Sequence, residues 1–396
     1  HRVPRGGVAA PTLTRVVVAS AAFKGAASAV AAAAAVARGV RRAWPEVEVC
    51  EVPVADGGEG TLDALVAARS GRVQSVAVAD PLGRPVAAQF GVLPDGVVVI
   101  ELARASGYER LVDTERDPER TSTFGTGQLI RAALDLLPRQ IIVTLGGSAT
   151  TDGGLGLLRA LGVRLLDVGG AELVGCGADL ARVDVLDVTG LDPRLGSVTI
   201  DVACDVRNPF FGPQGAAHVF GPQKGADPAA VVRLDEGLRH LAGVLLGGNG
   251  VDVQAIPGAG AAGGVAGGMA AVLGARIVPG ADLVLRAVGL RETLAGAALC
   301  ITGEGRLDGQ TREGKAPAAV AALCGQAGVP CVALCGELGL TVDGAQSMGF
   351  AAALTIGQGH TTTSDAIAAT EADLEAMGAR IGTARGNTRD LVPPPH

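Results

Sequence analysis

Residues 15–54 read RVVVASAAFKGAASAVAAAAAVARGVRRAWPEVEVCEVPV. The run opens with RVVVAS (15–20), a short unbroken apolar stretch of the kind found in strands covered on both faces. A Lys-Gly turn follows, and then an Ala-rich helix predicted over 26–43. That helix ends in Arg41 and Arg42, cations that suit a helix C-terminus. Residues 46–54 alternate polar and apolar, which predicts a second strand. Strand, helix and strand joined by short loops form a right-handed βαβ unit. ADGGEGT (55–61) then turns the chain into the helical pattern LDALVAAR (62–69).

Further along, the pattern changes. VQSVAV (73–78), VAAQFGVL (86–93) and VVVIELA (97–103) follow one another with only DPLGRP and PDG between them, which predicts a meander. Helical patterns open at FGTGQLIRAALDLL and TDGGLGLLRALG, around a buried strand at IIVTLGG (141–147). Residues 227–246 and 260–274 also read as helices. From 297 the βαβ pattern returns, with strands at AALCITGEG, PCVALCG and AAALTIG and helices at KAPAAVAALC and SDAIAATEADLEAMGARI. Similar ends around a mixed middle predict an α/β protein of two domains. A discontinuous Rossmann-like parallel-sheet domain comprises 13–78 plus 290–385, and a mixed α/β domain is inserted over 79–289. Residues 1–12 and 386–396, which include HRVPRGG and LVPPPH, are set aside as tails of the kind an expression vector leaves.

Composition narrows the function. Hydrophobic residues make up 48% of the chain but aromatic residues only 2%, so the core is aliphatic and the surface has little with which to stack bases. A net charge of −7 also argues against a nucleic-acid partner. No apolar run is long enough to suggest a membrane span. The seven Cys sit mostly in strand-like runs and read as reduced thiols of a cytoplasmic protein. Cys331 and Cys335 lack a second ligand pair, which argues against zinc. Only three of the 33 basic residues are Lys, and Lys24, Lys224 and Lys315 each adjoin a Gly.

Four Gly-rich turns carry acids: VADGGEGT with Asp56 and Glu59, GGSATTDGG with Ser148 and Asp152, ACDVRNPFFGPQG with Asp205 and Asn208, and ITGEGRLDGQTREGK with Glu304, Asp308 and Lys315. Several follow an apolar strand, and the carboxyl ends of strands are where open α/β sheets take ligands. Carboxylates alone repel phosphate, but with Mg²⁺ and Lys they hold it. The set points to phosphoryl transfer, which depends on positioning and charge neutralisation. An Asp beside a Gly also serves as a simple turn former or helix cap, and Asp56 and Glu59 suit that role. GQTREGKA (309–316) has Ala316 where a P-loop needs Ser or Thr. GAGAAG (258–263) lacks a preceding strand and reads as the start of a close-packed helix rather than a dinucleotide motif. His218 and His240 read as structural, and no nucleophile elbow is present.

These motifs resemble the type-1 glycerate kinases. FKG, VADGGEGTLDAL, ELARASG, GTGQLI, GGSATTDGGLGLLRALG, ACDVRNPFFGPQGAAHVFGPQKGA, GAGAAGG and TGEGRLDGQTREGKAP stand in the family's order between about 16 and 380. The resemblance implies ATP- and Mg²⁺-dependent phosphorylation of D-glycerate at its 2-hydroxyl by a monomer or homodimer. It carries over Lys24, Asp152 and Asp205 as catalytic candidates. Asp56, Ser148, Asn208, Lys224 and Lys315 follow as substrate or nucleotide contacts, Glu304 and Asp308 as metal contacts, and Glu59 as a further motif position. Within that set Lys24 and Lys315 would neutralise phosphate or the glycerate carboxylate, and Asp152 or Asp205 would orient the attacking hydroxyl. The family's first motif reads Pro-Asp-Ser-Phe-Lys-Gly, where this chain has Ser20-Ala21-Ala22-Phe23-Lys24-Gly25. Two methyl groups thus replace an acid and a hydroxyl. An alternative expectation follows, of a weakly active, inactive or substrate-shifted relative that binds nucleotide or a small hydroxy acid. Gln128 stands where the family commonly has Glu.

Overall fold

The computed structural model describes residues 14–391 apart from 310, 312, 313, 358, 359, 361 and 386. The strands in chain order are β1 (Arg15–Ser20), β2 (Glu48–Glu51), β3 (Arg72–Ala79), β4 (Pro85–Val92), β5 (Val97–Glu101), β6 (Gln140–Thr144), β7 (Arg164–Asp167), β8 (Val183–Asp187), β9 (Thr199–Ala203), β10 (Arg276–Val278), β11 (Ala297–Leu307), β12 (Cys331–Leu338) and β13 (Ala352–Thr355). The chain divides into two compact units, one built from the residues up to Val54 and from Gly289 onward, the other from Ala55–Val288.

The first unit holds a five-stranded sheet in the order β13-β12-β11-β1-β2, with all neighbours parallel. The chain leaves β1 for β2 on one side and later returns to lay β11 on the other. The strand order therefore reverses between β1 and β11, where ligands bind in open α/β sheets. Val16 and Val18 face the helices Ala29–Ala43 and Thr363–Thr383 in one apolar cluster with Ile301, Val332 and Leu334. Strand alternation sends Cys300 and Cys331 to the opposite face, toward Cys324 of the helix Ala316–Ala327. Ser28 caps the first helix by accepting the Ala31 N–H. Within that helix Gly39 meets the partner helix so closely that a Cβ would lie 2.0 Å from the Glu375 carbonyl oxygen. Small residues at such contacts let an Ala-rich chain build a dense core with few aromatics.

The second unit holds a six-stranded sheet in the order β10-β9-β6-β5-β4-β3. The first four strands are parallel and the last two antiparallel, as the meander predicts. β7 and β8 form a separate ribbon. The unit has its own core, which joins Ile100, Ile141, Val143 and Val202 of the sheet to Leu129, Leu238, Leu241 and Phe210.

Three expectations are corrected. The first boundary lies at Val54/Ala55 rather than near 79, because β3 pairs with β4 along its whole length and so belongs to the inserted unit. The helix expected from 26 begins at Ala29, because the Ala27 N–H bonds to the Phe23 carbonyl and closes a turn. The C-terminal tail expected from 386 does not begin there: Leu391 is fully buried and its carbonyl accepts from Arg380. Among the described residues no helix is long and apolar enough to cross a membrane.

Candidate active site

In the first unit, the switch point brings together the turn after β1 and the end of β11. Ser20 pairs with Gly303 in register, and the Ala21 N–H continues the pairing to the Gly303 carbonyl. The next residues turn at Gly25 and leave Lys24 exposed, without a polar partner among the described residues. A Cβ on Gly305 would stand 3.5 Å from the Lys24 backbone nitrogen, so this turn lies directly beside Glu304–Gly305. Glu304 is buried and accepts from Thr311 Oγ1 at 2.6 Å, and its other oxygen lies 3.9 Å from Lys315 Nζ. Thr311 Oγ1 also accepts the Asp308 N–H, while the Asp308 carboxylate pairs with Arg306 at 3.1 Å. Lys315 occupies the N-cap of the helix Ala316–Ala327, whose first turn has no side-chain cap. Uncapped N–H groups beside an ammonium favour an anion. Carboxylates and ammonium groups at one strand end suit a metal-bound phosphate, and hard oxygen donors are the set Mg²⁺ takes. Gln310, Arg312 and Glu313 of the GQTREGKA motif lie outside the described residues.

In the second unit, the carboxyl ends of β6, β9 and β10 carry the other motif residues. Asp205 follows β9 and accepts the Gly280 N–H at 2.8 Å, capping the helix Gly280–Ala287. A Cβ on Gly280 would fall 2.1 Å from the Asp56 carbonyl oxygen and 2.9 Å from Asp205 Oδ2, so only Gly allows the 55–60 turn to pack here. Asp205 is exposed over the residue as a whole, yet its carboxyl is drawn in against Gly280. Desolvation and the charges of Asp56 and Asp282 outweigh the bonds from the Gly280 and Ala281 N–H groups and push its pKa up to about 6. Asp56 itself accepts the Gly58 N–H at 3.1 Å, the turn-forming role anticipated for it, and Glu59 is exposed.

Lys224 is 3% exposed and donates to Ser148 Oγ at 2.8 Å and to the Thr150 carbonyl at 2.6 Å. Burial lowers its pKa to about 7, against the opposing charge of Asp152. It therefore braces the GGSATT loop from beneath. Asn208 donates to the Gln214 carbonyl at 2.8 Å and closes its own loop.

Asp152 is a correction. It is fully buried, and its oxygens accept from the Thr123 N–H and hydroxyl and from the Gly154 and Gly156 N–H groups. A carboxylate that is fully buried, with three of its four donors on Oδ2, is turned into the protein, so Asp152 holds the loop and Asp205 remains as the candidate base. Burial outweighs those bonds and raises its pKa above the usual carboxylate value.

Two contributors escaped the sequence reading. Thr311 links Glu304 to Asp308, and its only signal was a hydroxyl three residues beyond an Asp. Gly280, 75 residues from Asp205, carried no signal at all, because its role exists only where two loops meet. GAGAAG follows a single 3₁₀ turn and leads into the helix Val265–Leu273, as its missing strand implied. Gln128 accepts the Ala79 N–H at 2.7 Å, a role Glu would also fill. A cavity of 320 Å³ at the amino ends of β5, β6 and β10 is lined by arginines, of which Arg69 and Arg139 are tied to Asp95 and Arg276 to Asp201. It lies at the end of the sheet opposite the acidic turns.

Residues 16–385 match the profile of the glycerate kinase family. A glycerate kinase of Halalkalibacterium halodurans is 44% identical over 87% of this chain and 91% of its own length. A protein of Escherichia coli K12 named glycerate 2-kinase is 43% identical over 82% of this chain and 85% of its own. A crystal structure from Salmonella typhimurium LT2, assigned as glycerate kinase 2, superposes with a TM-score of 0.87 at 39% identity and covers 96% of this chain and all of that one.

Proposed function

The chain belongs to the glycerate kinase family, and from that premise we propose that it transfers the terminal phosphoryl group of ATP to the 2-hydroxyl of D-glycerate, giving 2-phosphoglycerate and ADP. The observation that carries this reading is the meeting of an exposed Lys24, Glu304 and Lys315 at the β1/β11 switch point, next to an uncapped helix N-terminus. Lys24 and Lys315 neutralise phosphate or glycerate carboxylate charge. Glu304 and Asp308 would hold Mg²⁺, which would supply charge neutralisation at phosphate oxygens. Asp205 accepts the proton of the attacking hydroxyl. With a pKa of about 6 it is largely ionised at neutral pH while still close enough to pH 7 to work as a base. The name of the Escherichia coli relative supports the 2-phosphate. Seven free thiols suit a reducing cytoplasm.

Ala21 and Ala22, half-buried at the end of β1 beside Lys24, favour a second reading, a relative of reduced activity. A coupled assay of ADP release with D-glycerate, ATP and Mg²⁺ decides between the two, with phosphorus NMR to identify the product. Turnover well above background supports the kinase. Background turnover that the Ala21→Asp/Ala22→Ser variant raises by about 10²–10⁴-fold establishes the reduced relative instead. A 3-phosphate product would sink the 2-hydroxyl assignment.

A further inference from the structure

Three cysteines far apart in sequence meet in the interior of the first unit. Cys300 lies on β11, Cys331 begins β12 as its register partner, and Cys324 lies in the last turns of the helix Ala316–Ala327. Cys300 and Cys324 are wholly buried and Cys331 is 1% exposed. Their sulfurs all lie within 4.8 Å of one another. The fold gives the cluster a reason to be there: strand alternation points both strand thiols to one face, and the helix crosses that face.

We infer that Cys300, Cys324 and Cys331 form a three-sulfur binding site for a single thiophilic monovalent d¹⁰ cation, Cu(I). Soft sulfur donors select such ions over magnesium or calcium. Structural zinc takes four ligands, and among the described residues only three metal-ligating groups converge here. Each sulfur that binds Cu(I) does so as the thiolate, its proton passing to solvent as the Cu–S bond forms. Exposed residues adjoin the cluster in sequence on two sides, because Gly325 follows Cys324 in the last turn of the helix and Pro330 precedes Cys331. The cluster lies toward the amino ends of β11 and β12, away from Glu304 and Lys315.

The test is anaerobic titration of the whole chain with Cu(I) against a chromophoric copper chelator. The half-buried thiols are first removed as Cys50→Ser/Cys176→Ser/Cys204→Ser. One equivalent retained, with thiolate-to-copper absorption and X-ray absorption fitting three sulfurs, is the expected result. Adding Cys324→Ser, which nearly preserves side-chain volume, should lower affinity at least a hundredfold, and Cys331→Ser likewise. Circular dichroism checks that each variant is folded, and the sulfur count in the parent protein stands without them. No retained copper, fewer than three sulfurs, or unchanged affinity in folded Cys324→Ser would overturn the site.

Discussion

Individual residues show most clearly where a motif position becomes a chemical role. Asp205 and Asp152 look alike in the sequence, each an acid in a Gly-rich turn, yet one is exposed and the other carries four donors. Asp205→Asn keeps an acceptor for the Gly280 N–H but cannot take a proton. It should therefore lower turnover by about 10²–10⁴-fold while changing stability by less than about 1 kcal/mol. The wild-type kcat/KM should fall as pH drops through about 6, and that limb should vanish in the variant. An equal loss of stability and activity would reduce Asp205 to a helix cap. Lys224 makes a prediction of opposite sign. Its folded pKa of about 7 lies below the usual ~10.4, so between these values the unfolded chain binds a proton that the folded chain does not. Stability should rise with pH across that window and be lost as pH falls toward 7. Urea unfolding at pH 7 and 9 should show the wild type gaining roughly 2 kcal/mol over Lys224→Met. Parallel pH profiles for the two proteins would contradict a buried, displaced titration.

Elements are legible where periodicity is long and illegible where pairing is remote. β1 and the Ala-rich helix after it follow from an apolar run and a run of strong helix formers. β9 and β10 were not anticipated, because they are short and gain their stability from partners distant in sequence, and β7 and β8 were not because each is a strand of four or five residues that pairs only with the other. The contact of Gly39 with the helix Thr363–Thr383 is of the same kind. Gly39→Ala improves local helix propensity, but its methyl would meet the Glu375 carbonyl at 2.0 Å. A net destabilisation of about 1–3 kcal/mol in chemical denaturation is expected. A stabilised variant would show that the two helices can separate without loss.

At the scale of the whole molecule, each unit has an apolar cluster of its own, and the two clusters share no member. Residues 55–288 expressed alone should therefore unfold cooperatively in urea with native-like circular dichroism; a non-cooperative transition would show that this core is insufficient by itself. The sequence alone determined the α/β class, the discontinuous first domain and the family, because each rests on local pattern: buried strand runs, Gly-opened helices and long motifs in fixed order. It also determined which residue types could carry phosphoryl transfer. Only the tertiary structure decided that residues 55–78 belong to the insertion, that Asp152 is a buried anchor, that Gly280 makes room for Asp56 beside Asp205, and that three cysteines share one place. The physical reason is common to all four. Propensity and periodicity act over a few neighbouring residues, whereas burial, desolvation and steric exclusion depend on which distant segments the fold brings into contact.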